Sequence, residues 1–125
     1  MFSILVVDDE ENIRQGIVRI LEDRFSGKTA IRQAANGLEA LEMICAVPVD
    51  LIIADIKMPL CGGVEMMKKL KSLGLRQKLI ILSGFDDYAF VRETLKLGAE
   101  DYLLKPVEPE ELCALTENCL AESEQ

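Results

Sequence analysis

In the stretch ILVVDD at residues 4–9, a short run of large apolar residues passes directly into two acidic ones, a pattern that predicts a buried strand with acids at its carboxyl end. Three later runs also end in a polar residue: residues 51–54 (LIIA) in Asp55, residues 79–82 (LIIL) in Ser83, and residues 102–104 (YLL) in Lys105. Short continuous apolar runs are typical of parallel strands buried on both faces. We therefore expect four parallel strands whose polar followers meet at one edge of one sheet.

Between the apolar runs lie stretches with a period near 3.6 residues, which predict amphipathic helices. The residues expected to face inward are Ile13, Ile17, Ile20 and Leu21, then Leu38, Leu41 and Cys45, then Val64, Met67 and Leu70, and finally Leu112, Leu115 and Cys119. A weaker strand fits at residues 29–35. Five strands and five helices in strict alternation predict an α/β fold, a doubly wound parallel sheet with helices on both faces.

Composition narrows the class of protein. A chain of 125 residues, half of them hydrophobic, is the size of one domain, and we expect residues 1–125 to form it. A net charge of −8 argues against nucleic-acid or anionic-membrane binding by this domain. No apolar stretch is long enough to span a bilayer, and acids follow Val7 too soon for a signal peptide. These features predict a cytoplasmic protein.

The four cysteines do not suggest a metal site. They include no C-x-x-C pair, and the chain has no histidine to complete a zinc cluster. Cys45 and Cys119 lie at helical spacing with leucines, so we expect them to be small buried hydrophobes. Cys61 follows Asp55 in a loop, where we expect exposure.

The residues at the sheet edge carry a definite chemistry. Asp8, Asp9 and Asp55 held close together would repel strongly, and such a cluster favours a divalent cation, for which Mg²⁺ is the best fit. Lys105 and Ser83 could hold phosphoryl oxygens. Asp55, alone at the end of a central strand, is the expected nucleophile. A single Asp after a strand is more often a helix cap or turn former, so only the joint pattern supports this hypothesis.

These motifs resemble those of bacterial response-regulator receiver domains of two-component signalling. The similarity rests on VVDDE at residues 6–10, DIKMP at 55–59, SG at 83–84 and GAEDYLLKP at 98–106, and it covers about residues 3–120. The resemblance implies a flavodoxin-like sheet of strand order 2-1-3-4-5, with Asp55 as the phosphoryl acceptor. It also implies that Asp9, Asp55 and the backbone carbonyl of Lys57 bind Mg²⁺, with Asp8 supporting the metal.

The resemblance assigns further roles to residues around the acceptor. Ser83 and Lys105 would contact the phosphoryl oxygens, and Tyr102 would turn inward as Ser83 is drawn toward the phosphate. The side chains of Lys57 and Phe85 would govern how easily water reaches the acyl phosphate. The fourth helix, fifth strand and fifth helix would form the output face and a possible homodimer contact.

The partners follow from the same resemblance and from the absence of histidine. A chain without histidine cannot carry phosphohistidine, so the donor would be a separate sensor histidine kinase. The domain would catalyse only its own phosphorylation and dephosphorylation. The sequence around residues 83–88 and 103–107 is similar to receivers fused to an arabinose-regulator-type helix-turn-helix domain, a DNA-binding output domain that is absent from this chain.

Two other functions remain open on the sequence. The first is a magnesium-dependent aspartyl phosphatase or phosphotransferase that acts on small substrates and also uses a nucleophilic Asp. Such enzymes require a second acid two residues after the nucleophile, where this chain has Lys57. An unphosphorylated docking module is the second. A flavodoxin-type cofactor binder is disfavoured, because residues 8–11 are all acidic where a phosphate-binding loop would stand.

The fourth helix carries two apolar sets, of which only one can fully face the sheet. One set is Phe90, Thr94 and Leu97, and the other is Tyr88, Val91 and Leu95. The resemblance suggests that the first set packs inward, while Tyr88 and Leu95 remain accessible for a dimer or output-domain contact.

Overall fold

The structure is a computed structural model that describes residues 1–84 and 86–124. Within these residues, five strands and five helices alternate along the chain. In order they are β1 (Phe2–Val7), α1 (Glu11–Arg24), β2 (Thr29–Ala34), α2 (Gly37–Ala46), β3 (Leu51–Asp55), α3 (Gly63–Ser72), β4 (Lys78–Ser83), α4 (Tyr88–Lys96), β5 (Asp101–Leu104) and α5 (Pro109–Ser123). The predicted alternation is confirmed.

The strands form one sheet in the order β2-β1-β3-β4-β5, and every neighbouring pair is parallel. The strand order expected from the family resemblance is therefore confirmed. The crossover places β1 beside β3, with Val7 opposite Ala54. This register brings the residues that follow β1 next to Asp55 at the end of β3.

The apolar side chains form two cores, one on each face of the sheet. Leu5, Ile52 and Ile81 pack against buried residues of α2, α3 and α4. The alternate residues of the same strands pack against α1 and α5 on the opposite face. Both faces of the central strands are covered, which explains why β1, β3 and β4 contain continuous apolar runs.

The prediction that all four apolar runs are buried on both faces is wrong for β5. Tyr102 and Leu104 are 41% and 54% exposed, and only Leu103 between them is buried. β5 is an edge strand that pairs with β4 alone. The exposure of Tyr102 and Leu104 shows that one face of β5 is open to solvent, while Leu103 on the other face packs into the core.

Two helices turn a different face to the core than the sequence predicted. In α2 the buried residues are Gly37, Ala40 and Ile44, whereas Leu38 and Cys45 are exposed. The Gly37 N–H donates to the Cys61 carbonyl at 3.1 Å, and a Cβ on Gly37 would lie 2.4 Å from that oxygen. This close approach at the first residue of α2 fixes the rotation of the helix.

In α4 the residues facing the sheet are Val91 and Thr94, and Phe90 is 46% exposed. The predicted inward position of Phe90 is therefore wrong, while the predicted accessibility of Tyr88 and Leu95 is confirmed. Asp87 immediately before the helix is buried, and Val91 and Thr94 follow it at four and seven residues on the same face. Phe90 lies off that face.

The cysteines also differ from expectation in two cases. Cys45 is exposed, because it lies off the inward face of α2. Cys61 is buried, because the start of α2 packs on the loop that carries it. Cys119 is buried on α5 as predicted. Among the described residues, no helix combines the length and apolar character that crossing a membrane requires.

Candidate functional site

The polar residues at the carboxyl ends of β1, β3, β4 and β5 meet at one edge of the sheet, as the sequence predicted; Asp55 and Ser83 are the last residues of β3 and β4, and Asp8 and Lys105 directly follow β1 and β5. The backbone pairing continues past the strand ends: the Asp8 N–H donates to the Ala34 carbonyl, and the Lys105 N–H donates to the Ser83 carbonyl. The chain therefore holds these residues by the same ladder that forms the sheet. Their positions follow from strand register rather than from loop conformation.

Three carboxylates form a compact cluster at this edge. One oxygen from each of Asp8, Asp9 and Asp55 lies within 4.8 Å of the other two. Asp8 is fully buried and Asp55 is 6% exposed, whereas Asp9 is exposed. The cluster thus has two buried members and one member facing solvent.

Lys105 joins the two buried carboxylates. Its Nζ lies 3.0 Å from Asp55 Oδ2 and 3.2 Å from Asp8 Oδ2, with Glu10 farther away at 3.8 Å. Burial lowers the pKa of Lys105, but the hydrogen bond and charge of Asp55, together with Asp8, raise it more, so the net pKa lies above the usual value. The ammonium is therefore a fixed positive charge beside the Asp55 carboxylate.

The pKa of Asp55 is raised by its surroundings. Burial is the largest cause, opposed by the Lys105 hydrogen bond and reinforced by the neighbouring charge of Asp8. One ammonium therefore does not compensate fully for the desolvation and crowding of these acids. A second cation at the cluster would relieve the remaining repulsion.

Ser83 lies at the end of β4, one residue beyond the position that pairs with Asp55. Its side chain is fully buried, and its Oγ has no hydrogen-bond partner among the described residues. A buried hydroxyl without a partner costs free energy. It is a donor available to a group that binds at this edge.

Lys57 and Asp87 form a contact that the sequence analysis did not foresee. Lys57 Nζ lies 2.8 Å from Asp87 Oδ1 and 5.6 Å from the centroid of the Phe90 ring. Asp87 Oδ2 accepts the Gly84 N–H at 2.7 Å, one residue after Ser83. The hydrogen bond from Lys57 lowers the pKa of Asp87 more than its burial raises it. Phe85, the other predicted gating residue, lies outside the described residues.

Tyr102 is on β5, away from the acidic cluster. It lines a cavity of about 330 Å³ between α4 and β5, and Ser83, Gly84, Tyr88 and Leu95 also line it. The cavity connects the surface of the α4–β5 face with the residues at the end of β4. Tyr102 is therefore exposed in this structure, with a space beside it that reaches Ser83.

The donor set fits a hard divalent cation. The cluster offers carboxylate oxygens alone, with neither sulfur nor imidazole, and magnesium prefers such ligands together with water and phosphate oxygens. The unpartnered Ser83 hydroxyl beside it fits a phosphoryl oxygen. The residues at the site are thus suited to both parts of the predicted chemistry.

Sequence comparison gives a family match over nearly the whole chain. The family described as "Response regulator receiver domain" matches residues 4–117. The uncharacterized transcriptional regulatory protein YesN of Bacillus subtilis (strain 168) is 36% identical over 122 residues, which are 98% of this chain and 33% of that protein. The transcriptional regulatory protein HptR of Staphylococcus aureus is 35% identical over 112 residues, 90% of this chain and 44% of HptR. The chain thus spans less than half the length of these relatives.

Solved structures give the same result. A response regulator receiver domain protein from Clostridium thermocellum superimposes with a TM-score of 0.88 at 30% identity, covering 99% of this chain and 98% of that one. The REC domain of AraT, a response regulator from Geobacillus stearothermophilus, gives a TM-score of 0.86 at 31% identity, covering 99% and 96% of the two chains. Each comparison extends over the sheet, its helices and the acidic edge.

Proposed function

Because this chain belongs to the response regulator receiver domain family, we propose that the Asp55 carboxylate accepts a phosphoryl group from the phosphohistidine of a sensor kinase. One carboxylate oxygen forms a bond to phosphorus while the bond from phosphorus to the donor imidazole nitrogen breaks. The electron pair of that bond stays on the imidazole nitrogen. The product is an acyl phosphate on Asp55, which water later hydrolyses to release inorganic phosphate.

The observation that carries this proposal is the position of Lys105, with its Nζ 3.0 Å from Asp55 Oδ2. Negative charge on a transferring phosphoryl group would meet this ammonium without a rearrangement of the backbone. A charge that is already in place costs no reorganisation during the reaction. Ser83, with its unpartnered hydroxyl at the neighbouring strand end, would donate to a second phosphoryl oxygen.

Mg²⁺ is the expected cofactor. Asp8, Asp9 and Asp55 would hold it, together with the backbone carbonyl of Lys57. The metal would neutralise charge on the acceptor carboxylate and the phosphoryl oxygens. Asp55 would then serve both as metal ligand and as acceptor, which fits its position between the acid pair after β1 and Ser83 at the end of β4.

The signalling response would begin at Ser83. A phosphoryl group on Asp55 would draw the Ser83 hydroxyl toward it, and Tyr102 would move into the cavity between α4 and β5. This motion would change the surface formed by α4, β5 and α5. Exposed apolar residues on this surface, including Tyr88, Leu95 and Leu104, suit a homodimer or output-domain contact.

The partners of the whole protein are proposed from its relatives. YesN and HptR are named as transcriptional regulatory proteins, and both are more than twice as long as the matching region. We propose that this receiver works with a cytoplasmic sensor-kinase domain and controls a DNA-binding output domain of the helix-turn-helix type. Residues 1–125 would act as the regulatory domain of such a protein.

The test is the intact mass of the protein after incubation with acetyl phosphate and MgCl₂. Wild type should gain the mass of one phosphoryl group, and the gain should disappear when EDTA replaces Mg²⁺. Asp55→Asn should gain nothing, because an amide is not a nucleophile of this kind. Asp23→Asn, an exposed change of the same chemistry on α1, should load like wild type.

Two results would contradict the proposal. Absence of an adduct on folded wild type would favour an unphosphorylated docking module. An adduct of equal yield on Asp55→Asn would place the acceptor elsewhere.

A further inference from the structure

We propose that Arg14 is a positioning residue for the metal cluster, because it fixes the peptide group between Asp8 and Asp9. This inference rests on the proposed Mg²⁺ binding and adds a residue outside the cluster to it. Arg14 lies on α1, near its start, and is half-buried. Among the described residues, its guanidinium contacts no carboxylate of the cluster and instead binds the backbone carbonyl of Asp8.

The guanidinium makes two hydrogen bonds in different directions. Its Nη1 donates to the Asp8 carbonyl at 2.8 Å, and its Nε donates to Gln33 Oε1 at 3.0 Å. Gln33 is on β2, so Arg14 ties α1 to the ends of two neighbouring strands. A planar fork held at two points has little freedom to move its third corner. The carbonyl that accepts from Nη1 is therefore held in one orientation.

The Asp8 side of this peptide has several other supports. The Asp8 N–H pairs with β2, Oδ1 accepts the Glu10 N–H at 2.9 Å, and Oδ2 lies beside Lys105. Asp9 is different. It is exposed, and within the described residues its side chain makes no hydrogen bond and no ion pair. Within the described residues, the position of its carboxylate therefore depends on the backbone that carries it.

The Asp8 carbonyl and the Asp9 N–H belong to one planar peptide. Fixing the carbonyl therefore fixes the direction in which the chain enters Asp9, and with it the starting point of the Asp9 side chain. Ligand geometry matters for magnesium, which tolerates little departure from octahedral coordination. Groups that orient ligands from outside the coordination shell have large effects on metal affinity.

Electrostatics alone predicts the opposite effect of Arg14. A positive charge close to three carboxylates repels a divalent cation, so its removal should strengthen Mg²⁺ binding. A positioning role predicts that removal weakens binding. The sign of the change therefore separates the two roles.

The experiment is an Mg²⁺ titration of the isotope-labelled protein, followed by the amide resonances of Asp9 and Asp55 in two-dimensional NMR. We expect Arg14→Met to raise the Kd for Mg²⁺ about tenfold. Arg14→Lys, which keeps the charge but lacks the planar fork that holds the Asp8 carbonyl and Gln33 together, should recover part of the affinity. Arg19→Met, an exposed loss of the same charge on the same helix, should not weaken binding.

A second variant protects the test against a folding defect. Gln33→Leu leaves Arg14 intact but removes its outer support, and we expect a smaller rise of Kd, about threefold. Circular dichroism and the dispersion of the amide spectrum confirm that each variant is folded. In the metal-free protein, Arg14→Met should also shift the Asp9 amide resonance, because the orientation of its peptide is no longer fixed.

Unchanged or tighter Mg²⁺ binding by folded Arg14→Met would overturn the positioning role while the proposed function stands. Failure of wild type itself to bind Mg²⁺ would overturn both. Equal weakening by Arg14→Met and Arg19→Met would show that the effect does not depend on the hydrogen bond to the Asp8 carbonyl, and it would also overturn the inference.

Discussion

The carboxyl edge of the sheet and the face formed by α4 and β5 depart from ordinary burial in opposite directions. At the edge, Asp8 and Ser83 are fully buried and Asp55 nearly so. On the α4–β5 face, Tyr88 is 74% and Leu104 is 54% exposed. Buried polar groups and exposed apolar groups both cost free energy in the isolated domain.

The two regions differ in the kind of binding partner that each would suit. At the edge, carboxylates outnumber cations and the Ser83 hydroxyl has no hydrogen-bond partner among the described residues, a combination that suits a cation and a phosphoryl group. The α4–β5 face exposes apolar area, which suits a contact with another protein or domain. The cavity lined by Ser83 and Tyr102 joins them. In the proposed function, a change at Ser83 would reach the α4–β5 face through this cavity.

The largest expected effect comes from two adjacent leucines of β5. Leu103→Ala should lower the free energy of unfolding by about 3 kcal/mol, because Leu103 is buried against the core. Leu104→Ala, the same truncation on the open face, should cost less than about 1 kcal/mol. Urea unfolding of both variants measures the difference. Equal losses would mean that the α4–β5 face is part of the stabilising core rather than a free surface.

A smaller effect is expected at the acidic edge. Lys105→Met removes the ammonium between Asp8 and Asp55 and should lower the stability by about 2 kcal/mol in buffer without divalent ions. Added MgCl₂ should restore part of this loss, since a bound cation compensates the same carboxylates. Lys96→Met makes the same change at an exposed position of α4 and serves as the control.

The thermal midpoint of each variant with and without Mg²⁺ is the measurement. A Lys105→Met protein that is as stable as wild type in both buffers would show that crowding of the acids is not a real cost. The proposed reason for the metal would then be lost.

The smallest effect concerns thiols, where burial changes reactivity rather than stability. Burial raises the pKa of Cys119 to about 11, and it also raises the pKa of Cys61 and of Cys113. At pH 9 the folded chain should therefore react with iodoacetamide once, at exposed Cys45, and four times after denaturation. Mass spectrometry of the alkylated protein counts the labels. Rapid labelling of Cys61 would contradict the packing of α2 on its loop.

The raised pKa of Cys119 also makes the free energy of unfolding depend on pH. A thiol whose pKa is raised by folding holds its proton more tightly in the folded state, so the stability it contributes is present below the ordinary value of 9.0. This contribution is lost progressively as the pH rises above 9. A Cys119→Ala variant has no thiol to titrate at this position, so its free energy of unfolding should fall less than that of wild type between pH 8 and pH 10.

The sequence alone predicted the strands and the grouping of the polar side chains at their carboxyl ends. Central strands covered on both faces must be continuously apolar, and a parallel sheet collects their carboxyl ends at one edge. Asp8, Asp9, Asp55, Ser83 and Lys105 could therefore be placed at one edge from the apolar runs that they end, whereas the strand order that makes β1 and β3 neighbours came from the family resemblance. Their chemical roles remain predictions until phosphorylation is measured.

Helix faces and loop packing could not be predicted in the same way. α2 and α4 each carry apolar residues on more than one side, so the period alone allowed two rotations. The contact of Gly37 with Cys61 decides the first, and the buried Asp87 decides the second. Arg14 was missed because its role is a hydrogen bond to a backbone carbonyl, and no residue pattern reports such a bond.

Phosphorylation of Asp55 can be tested by locating the modified side chain. Sodium borohydride reduces an acyl phosphate to an alcohol, which converts a phosphorylated aspartate into homoserine. Wild type loaded with acetyl phosphate and Mg²⁺ is reduced, digested and sequenced by tandem mass spectrometry. We expect homoserine at position 55 alone; homoserine at position 8 or 9, or none in a loaded sample, would mean that Asp55 is not the acceptor.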